Sequence, residues 1–249
     1  MAIKSFEDIK QRAFYIRRCI LGRDVWVRPK RHYRVRTFGA GDGSWVLRDD
    51  LLNSDSVVYS FGLGWDISFD LELIERHGCN VHGFELLPSA LQDLEQRDLP
   101  PNFHLHSYGI GPEDRVERFQ SENGGYASMN SSDSPQSFSF DAETRKLSTI
   151  LETLGHKYID VLKMDIEGAE FSLVDEICEH SESIGQLLIE WHQRMFPDGT
   201  SMLKEALEKL RRHFDLYYVS PRGFEHSYVS NRIAAKPVGN RSHAEPSPA

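Results

Sequence analysis

From residue 56 onward, short apolar runs alternate with segments of helical periodicity. Runs that are apolar in their middles are typical of strands buried on both faces, and the segments between them, such as SFDLELIERHG and GAEFSLVDEICEH, have one apolar face. Apolar strands linked by helices predict an α/β fold with a doubly wound, mostly parallel sheet and helices on both faces. The last two runs are joined by only PRGFE and predict an antiparallel hairpin at one edge. Seven strands are predicted: SVVYSF, NVHGFE, NFHLHSYGI, YIDVLKMD, IGQLLIEWH, FDLYYVS and HSYVSNRIAA.

The chain divides into three regions by charge and composition. Residues 1–48 form a helix starting after Ser5 and then a basic arm, with twelve Lys/Arg against four Asp/Glu, a net charge of +8. Residues 49–235 hold the predicted sheet, and residues 236–249 predict a disordered tail. Within the domain, residues 120–140 are rich in Ser, Asn and Gly and predict a long loop of the kind that often covers an active site.

The net charge of −9 argues against a general nucleic-acid binder, since residues 49–249 carry −17. Three widely spaced cysteines and an N-terminus without an apolar core predict a protein with reduced thiols in the cytoplasm. No apolar run is long enough to span a membrane, and no membrane partner is expected. The basic arm has three interpretations: a cover that binds an anionic substrate, an RNA contact, or a solvated arm.

The stretch VVYSFGLGWDISFD breaks from a strand into glycines. At the carboxyl end of a first parallel strand, Gly62 and Gly64 let the backbone approach a ligand, unless they only make a tight turn. Glu85 ends the second strand, 21 residues after Gly64, where an acid can accept hydrogen bonds from ribose hydroxyls. A third glycine is missing and Asp66 would repel a pyrophosphate. The loop therefore favours an adenosine ligand with a cationic group, such as the sulfonium of S-adenosylmethionine, over NAD.

The string IDVLKMDIEGAE places several carboxylates at the end of a later strand. Asp165 falls on the ligand side of the sheet and could position a substrate, bind a metal or accept a proton, whereas Glu167 and Glu170 also suit a helix N-terminus. In LLIEWH, Glu190 and His192 share one strand face, which could set a histidine of near-neutral pKa beside a carboxylate. No histidine spacing indicates a metal, and none is expected. The alternative interpretation is a set of helix caps and a hydrogen-bonded histidine at the sheet rim.

These strings resemble the FkbM-type S-adenosylmethionine-dependent methyltransferases, in particular the branch with a YSFG first loop, over about residues 45–235. The Lys-x-Asp-x-Glu-Gly-x-Glu block is the strongest sign. The resemblance implies a class I (Rossmann-like) methyltransferase fold and O-methylation of a hydroxyl on a small metabolite or sugar. A hydroxyl acceptor must lose its proton, and the catalytic candidates are the residues that end the fourth and fifth strands, Asp165, Glu190 and His192. The resemblance places the cofactor against Phe61, Gly62, Gly64, Asp66, Ile67, Glu85, Ser107, Tyr108 and Gly109.

Two positions depart from the family pattern. Ser60 stands where many methyltransferases carry an acid, a role that Asp66 could share, and Phe84-Glu85-Leu86 stands where relatives often have Phe-Asp-Pro. Two other functions stay open: a degenerate methyltransferase fold that binds a partner, and an NAD(P)-dependent oxidoreductase. The oxidoreductase would need the third glycine and usually a Tyr-x-x-x-Lys helix, and the sequence has neither.

Overall fold

The computed structural model describes residues 5–122, 127–128 and 137–234. Its helices are α1 (Phe6–Ile20), α2 (Ser68–His77), α3 (Pro88–Glu95), α4 (Leu147–Leu154), α5 (Glu170–Glu179), α6 (Gly199–Leu210) and α7 (Asn231–Ala234). Its strands are β1 (Arg36–Phe38), β2 (Trp45–Leu47), β3 (Val57–Phe61), β4 (Asn80–Phe84), β5 (Phe103–His106), β6 (Gly109–Ile110), β7 (Arg115–Glu122), β8 (Ala127–Ser128), β9 (Ser137–Arg145), β10 (Ile159–Met164), β11 (Ile184–Glu190), β12 (Phe214–Val219) and β13 (Glu225–Ser230).

The main sheet has seven strands in the order β12-β13-β11-β10-β3-β4-β5. β11, β10, β3, β4 and β5 run parallel, while β13 is antiparallel to both β11 and β12. The doubly wound fold and the antiparallel edge hairpin are therefore confirmed. The chain runs from β3 outward in one direction through β4 and β5, and returns to β10 on the other side of β3. The switch point thus lies between β3 and β10, where ligands bind in such sheets.

Apolar side chains on both faces of the central strands form the core. One cluster joins β10 and β11 to α5 and α6, and a second packs α2 against β3 and β4. In the centre, Leu162, Leu187 and Val58 have no exposed surface. This burial on both faces explains why the sequence of these strands is almost continuously apolar rather than alternating.

Four histidines, here called the histidine cluster, lie together near the β5 edge of the main sheet: His82 on β4, His104 and His106 on β5, and His156 just after α4. The ring of His82 stacks on that of His104 at 4.6 Å and on that of His106 at 5.3 Å. His82 Nδ1 and His106 Nε2 share a hydrogen bond of 3.0 Å, and His156 Nδ1 lies 2.8 Å from the Tyr59 hydroxyl. Burial lowers the pKa of His82 to about 3 and that of His106 to about 4, with a further contribution from the neighbouring histidines.

The predicted long loop over residues 120–140 is wrong wherever the structure describes it. β7, β8 and β9 pair antiparallel, and with β6 they form a second, four-stranded sheet. Phe119 and Phe140 stack across the β7–β9 pair at 5.9 Å. The alternation of Phe138 and Phe140 with serines is a period-two pattern that the Ser-rich composition conceals. β6 belongs to this sheet, so the predicted third strand, 102–110, is two strands rather than one.

The basic N-terminal segment packs on the domain instead of standing free as an arm. Tyr15 of α1 is fully buried, and its hydroxyl donates to the Val25 carbonyl oxygen at 2.5 Å. Asp24 is also buried, and it accepts two hydrogen bonds from the Arg194 guanidinium, at 2.9 and 2.7 Å, and one from Gln193 Nε2 at 2.9 Å. The segment is therefore anchored to the stretch that follows β11.

The last strand is shorter than predicted. The last strand stops at Ser230, and Asn231–Ala234 form the short helix α7 where a longer strand was expected. The predicted disordered tail lies outside the described residues. Among the residues that the structure describes, no helix is long and apolar enough to cross a membrane.

Candidate active site

The glycine loop follows β3 at the switch point and is held by backbone contacts. Gly62 has a φ of +73°, and a Cβ at this position would lie 1.7 Å from the Asp165 carbonyl oxygen. Only glycine fits there. The Lys163 ammonium reaches across from β10 and donates to the carbonyl oxygens of Phe61 at 3.2 Å and Gly62 at 2.7 Å. The loop is thereby tied to the strand that delivers Asp165.

Glu85 lies directly after β4 and bridges the loop to the following helix. One carboxylate oxygen accepts from the Gly64 amide at 2.7 Å, and the other accepts from the amides of Leu86 and Leu87 at 2.8 and 2.7 Å. These bonds fix the carboxylate at the cavity wall. A carboxylate oxygen can accept more than one hydrogen bond, so Glu85 keeps capacity for ribose hydroxyls.

A cavity of about 490 Å³ opens over the carboxyl ends of the strands. Of the residues predicted for the cofactor, six line it: Phe61, Gly62, Gly64, Asp66, Glu85 and Gly109. The structure does not bring the other three to the cavity. Ile67 is buried in the α2 cluster, Tyr108 packs on Phe84 at 5.4 Å, and Ser107 lies at the exposed end of β5. All three predicted catalytic residues, Asp165, Glu190 and His192, line the same cavity.

His192 lies among carboxylates at the floor of this cavity. Its Nδ1 is hydrogen-bonded to the fully buried Glu170 at 2.8 Å, and this bond directs Nε2 toward Asp165 at 3.7 Å and Glu167 at 3.5 Å. Burial alone would lower the pKa of His192, but the bond to Glu170 and the negative charges of all three acids outweigh it and raise the pKa to about 10. The expected near-neutral histidine is therefore an imidazolium at pH 7.

Asp165, Glu167 and His192, here called the His192 cluster, have ligand atoms within 4.8 Å of one another. Such a set could hold a divalent ion once the histidine proton leaves. In the protonated state the imidazolium itself compensates the two carboxylates. The cluster can therefore present either a hydrogen-bond donor or an ion to a ligand in the cavity.

Glu190 ends β11 beside this cluster. Burial, together with the negative charges of Asp165 and Glu225, raises its pKa to about 8, although His192 and Arg222 act in the opposite direction. Its carboxylate lies 3.6 Å from the Arg222 guanidinium, which also pairs with Glu225. Trp191 points away into the core, so Glu190 and His192 do face one side as predicted, although His192 lies just beyond the strand.

Sequence reasoning missed several residues of the cavity. Asp70 on α2 lines the cavity, whereas Ser60, which stands where many methyltransferases carry an acid, does not. Burial raises the pKa of the Asp70 carboxyl to about 6. A single Lys163 within an apolar strand was a usable signal for a functional lysine. Arg222, and Glu117 with Phe119 from the small sheet, gave no local signal because the chain brings them to the cavity from far away.

Comparison with known proteins identifies the family of this chain. A profile described as "Methyltransferase FkbM domain" matches residues 49–217. A human "Probable methyltransferase-like protein 24" is 30% identical over 153 residues, covering 61% of this chain and 36% of that protein. The protein of the same name from Rattus norvegicus is 31% identical over 137 residues, covering 54% and 32%. The chain thus spans about a third of the length of these curated relatives.

Solved structures with a related fold are more distant. An rRNA methylase from Streptococcus thermophilus has a TM-score of 0.45 at 15% identity, with 73% of this chain and 90% of that chain covered. Fibrillarin from Aeropyrum pernix, with natively bound S-adenosyl-L-methionine, has a TM-score of 0.40 at 11% identity, covering 81% and 84%. The family match extends over the strands that carry the glycine loop, Glu85 and the carboxylates of the cavity. This chain belongs to the FkbM methyltransferase family, and its cofactor is S-adenosylmethionine.

Proposed function

We propose that this chain transfers the methyl group of S-adenosylmethionine to a hydroxyl oxygen on a small metabolite or sugar. The observation that carries the proposal is the position of Glu190. This carboxylate stands at the end of β11, in the same cavity as the glycine loop and Glu85. A proton acceptor so close to a methyl donor suits an acceptor group that loses a proton as it is methylated.

The residues divide into a cofactor side and an acceptor side. Glu85 and the loop from Phe61 to Gly64 would hold the adenosine and the methionine part, with Asp66 and Asp70 facing the positive charge of the sulfonium. The bound cofactor supplies an activated methyl group. Glu190, which ionises as the pH rises through its pKa of about 8, takes the proton from the acceptor hydroxyl in its ionised form. The imidazolium of His192 donates a hydrogen bond to a substrate oxygen. Alignment of the two reactants can lower the barrier by ~7–11 kcal/mol.

The proposed reaction is the transfer of a methyl group from sulfur to oxygen. The cofactor would give up its methyl group to the acceptor oxygen and leave as S-adenosylhomocysteine, while the hydroxyl proton would pass to the Glu190 carboxylate. The cofactor and a small acceptor would share the cavity of about 490 Å³. A small hydroxylated acceptor, either neutral or anionic, is therefore the proposed partner, rather than nucleic acid.

Calorimetry and a transfer assay together test the proposal. Wild-type protein should bind S-adenosylmethionine and not NAD, and should move label from the methyl-labelled cofactor to one member of a panel of sugars and hydroxylated metabolites. Glu85→Ala should lose cofactor binding. Glu190→Gln should keep cofactor binding but lose transfer by about 10²–10⁴-fold.

The alternatives predict other results. Cofactor binding without transfer to any acceptor would support the binding-module alternative, and binding of NAD alone would support the oxidoreductase. Full transfer activity in Glu190→Gln would refute the assignment of the base while leaving the methyltransferase function intact. These outcomes separate the function from the mechanism.

A further inference from the structure

The outward face of α1 is apolar although the helix lies on the surface. The helix rests on the domain through Tyr15, which is fully buried. At 100° per residue, the side chains opposite Tyr15 recur at intervals of three and four residues. Every one of them is exposed, with Phe6 at 71% and Ile20 at 79%. This apolar stripe consists of Phe6, Ile9, Ala13, Ile16 and Ile20.

Cations and further apolar groups border the stripe. Lys10 and Arg17 lie along one side of it and are exposed. Phe14 and Leu21 lie beyond them, at 53% and 54% exposure. Glu7, at the edge, is paired with Lys10 at 3.4 Å. The chain then continues with exposed cations at Arg23, Arg28, Lys30 and Arg31.

The charge distribution selects among possible occupants of the stripe. If two copies of α1 packed antiparallel along their stripes, Lys10 and Arg17 of one copy would face the same two residues of the other copy. These like charges would repel. A coiled coil with another protein normally needs at least three or four heptads, and this stripe covers about two. A flat anionic surface accepts both the apolar side chains and the cations beside them.

We propose that α1 docks on an anionic phospholipid surface, with the apolar stripe in the boundary between head groups and acyl chains and the surrounding cations against the head groups. A stripe from residue 6 to residue 20 is roughly 21 Å long at 1.5 Å per residue. Lysine and arginine at such a boundary extend their charged ends toward the head groups. The helix lies along the surface and does not cross it, and this proposed peripheral contact differs from the sequence-based expectation of no membrane partner.

The acidic remainder of the chain fits this orientation. Residues 49–249 carry a net charge of −17 against +8 for residues 1–48. An anionic surface would attract the N-terminal segment and repel the rest. The docking does not depend on the proposed methyl transfer, because α1 contributes no residue to the catalytic cavity.

Flotation of the full chain with lipid vesicles tests the proposal. The probes are vesicles of phosphatidylcholine alone and of phosphatidylcholine with 30 mol% phosphatidylserine, at low and high NaCl. The chain should float with the anionic vesicles at low salt and stay behind with the neutral ones. The double variant Phe6→Ser/Ile20→Ser should bind at least tenfold more weakly, and Lys10→Gln/Arg17→Gln should lose most of the binding, since each cation near the surface contributes about 1 kcal/mol.

Val116→Ser is the matched control, since Val116 is 68% exposed on β7, away from the stripe. It should float like the wild type, and all variants should bind S-adenosylmethionine equally, which separates this result from the proposed function. Absence of flotation with anionic vesicles would overturn the proposal, as would equal binding by the Phe6/Ile20 variant. A dimer in sedimentation that the same variant dissociates would assign the stripe to a second copy instead.

Discussion

The buried carboxylate of Asp24 is expected to hold the N-terminal segment to the active-site side of the sheet. Asp24→Asn removes the charge opposite Arg194, whose Nε and Nη2 both donate to one oxygen of Asp24. Breaking a buried ion pair by changing one partner costs about 3–5 kcal/mol. A chain of this size loses roughly 2–4 °C per kcal/mol, so the melting temperature should fall by roughly 6–20 °C.

The measurement is urea and thermal unfolding followed by circular dichroism. The matched control is Glu182→Gln, because Glu182 pairs with Arg232 at the surface, with side chains 72% and 53% exposed. That pair should contribute less than about 1 kcal/mol. If Asp24→Asn unfolds within 1 kcal/mol of the wild type, the segment is an independent arm and the packing argument fails.

Three further results are expected. Gly62→Ala should unfold the loop and abolish cofactor binding, whereas Gly64→Ala, with φ +54° but open space around it, should cost only about 1–2 kcal/mol; equal effects would contradict the steric argument. Because His82 and His106 have pKa values below the ordinary 6.5, their contribution to stability is full above pH 6.5 and is lost as the pH falls toward 3. His82→Gln should therefore flatten the fall in unfolding free energy over that window by up to ~1.4 kcal/mol per pH unit, and an unchanged slope would refute this. Chelation by EDTA should leave methyl transfer unchanged, since a proton already compensates the His192 cluster, and a loss restored by Mg²⁺ or Mn²⁺ would show that the cluster holds an ion.

The main sheet was predictable because its signals are local. Each central strand is a short apolar run that ends at a glycine, an acid or a turn, and burial on both faces requires that composition. The small sheet was missed because the stretch 120–140 is rich in Ser, Asn and Gly, and because β7 and β9 pair across it. In β9, only the alternation at Phe138 and Phe140 indicated a strand.

The cofactor half of the cavity was predictable for the same reason. Gly62, Gly64 and Glu85 lie within one strand–helix–strand unit, so their spacing alone places them at one edge of the sheet. The acceptor half was recognised only in part. Asp165, Glu190 and His192 were found because they lie at strand ends. The pKa of His192, however, depends on its burial and on Glu167 and Glu170, and residue spacing alone does not predict how these effects combine.

The two halves of the cavity are also built differently. The cofactor half depends on backbone contacts within the loop after β3 and on Lys163 of β10, and both are part of the central sheet. The acceptor half depends on side chains from the end of β11 and from the turn between β12 and β13. Arg194 connects these to the N-terminal segment, because its guanidinium bonds to Asp24 and also donates to the Arg222 carbonyl oxygen at 3.0 Å. A change in the N-terminal segment should therefore disturb acceptor positioning through Arg222 and Glu190 before it disturbs cofactor binding.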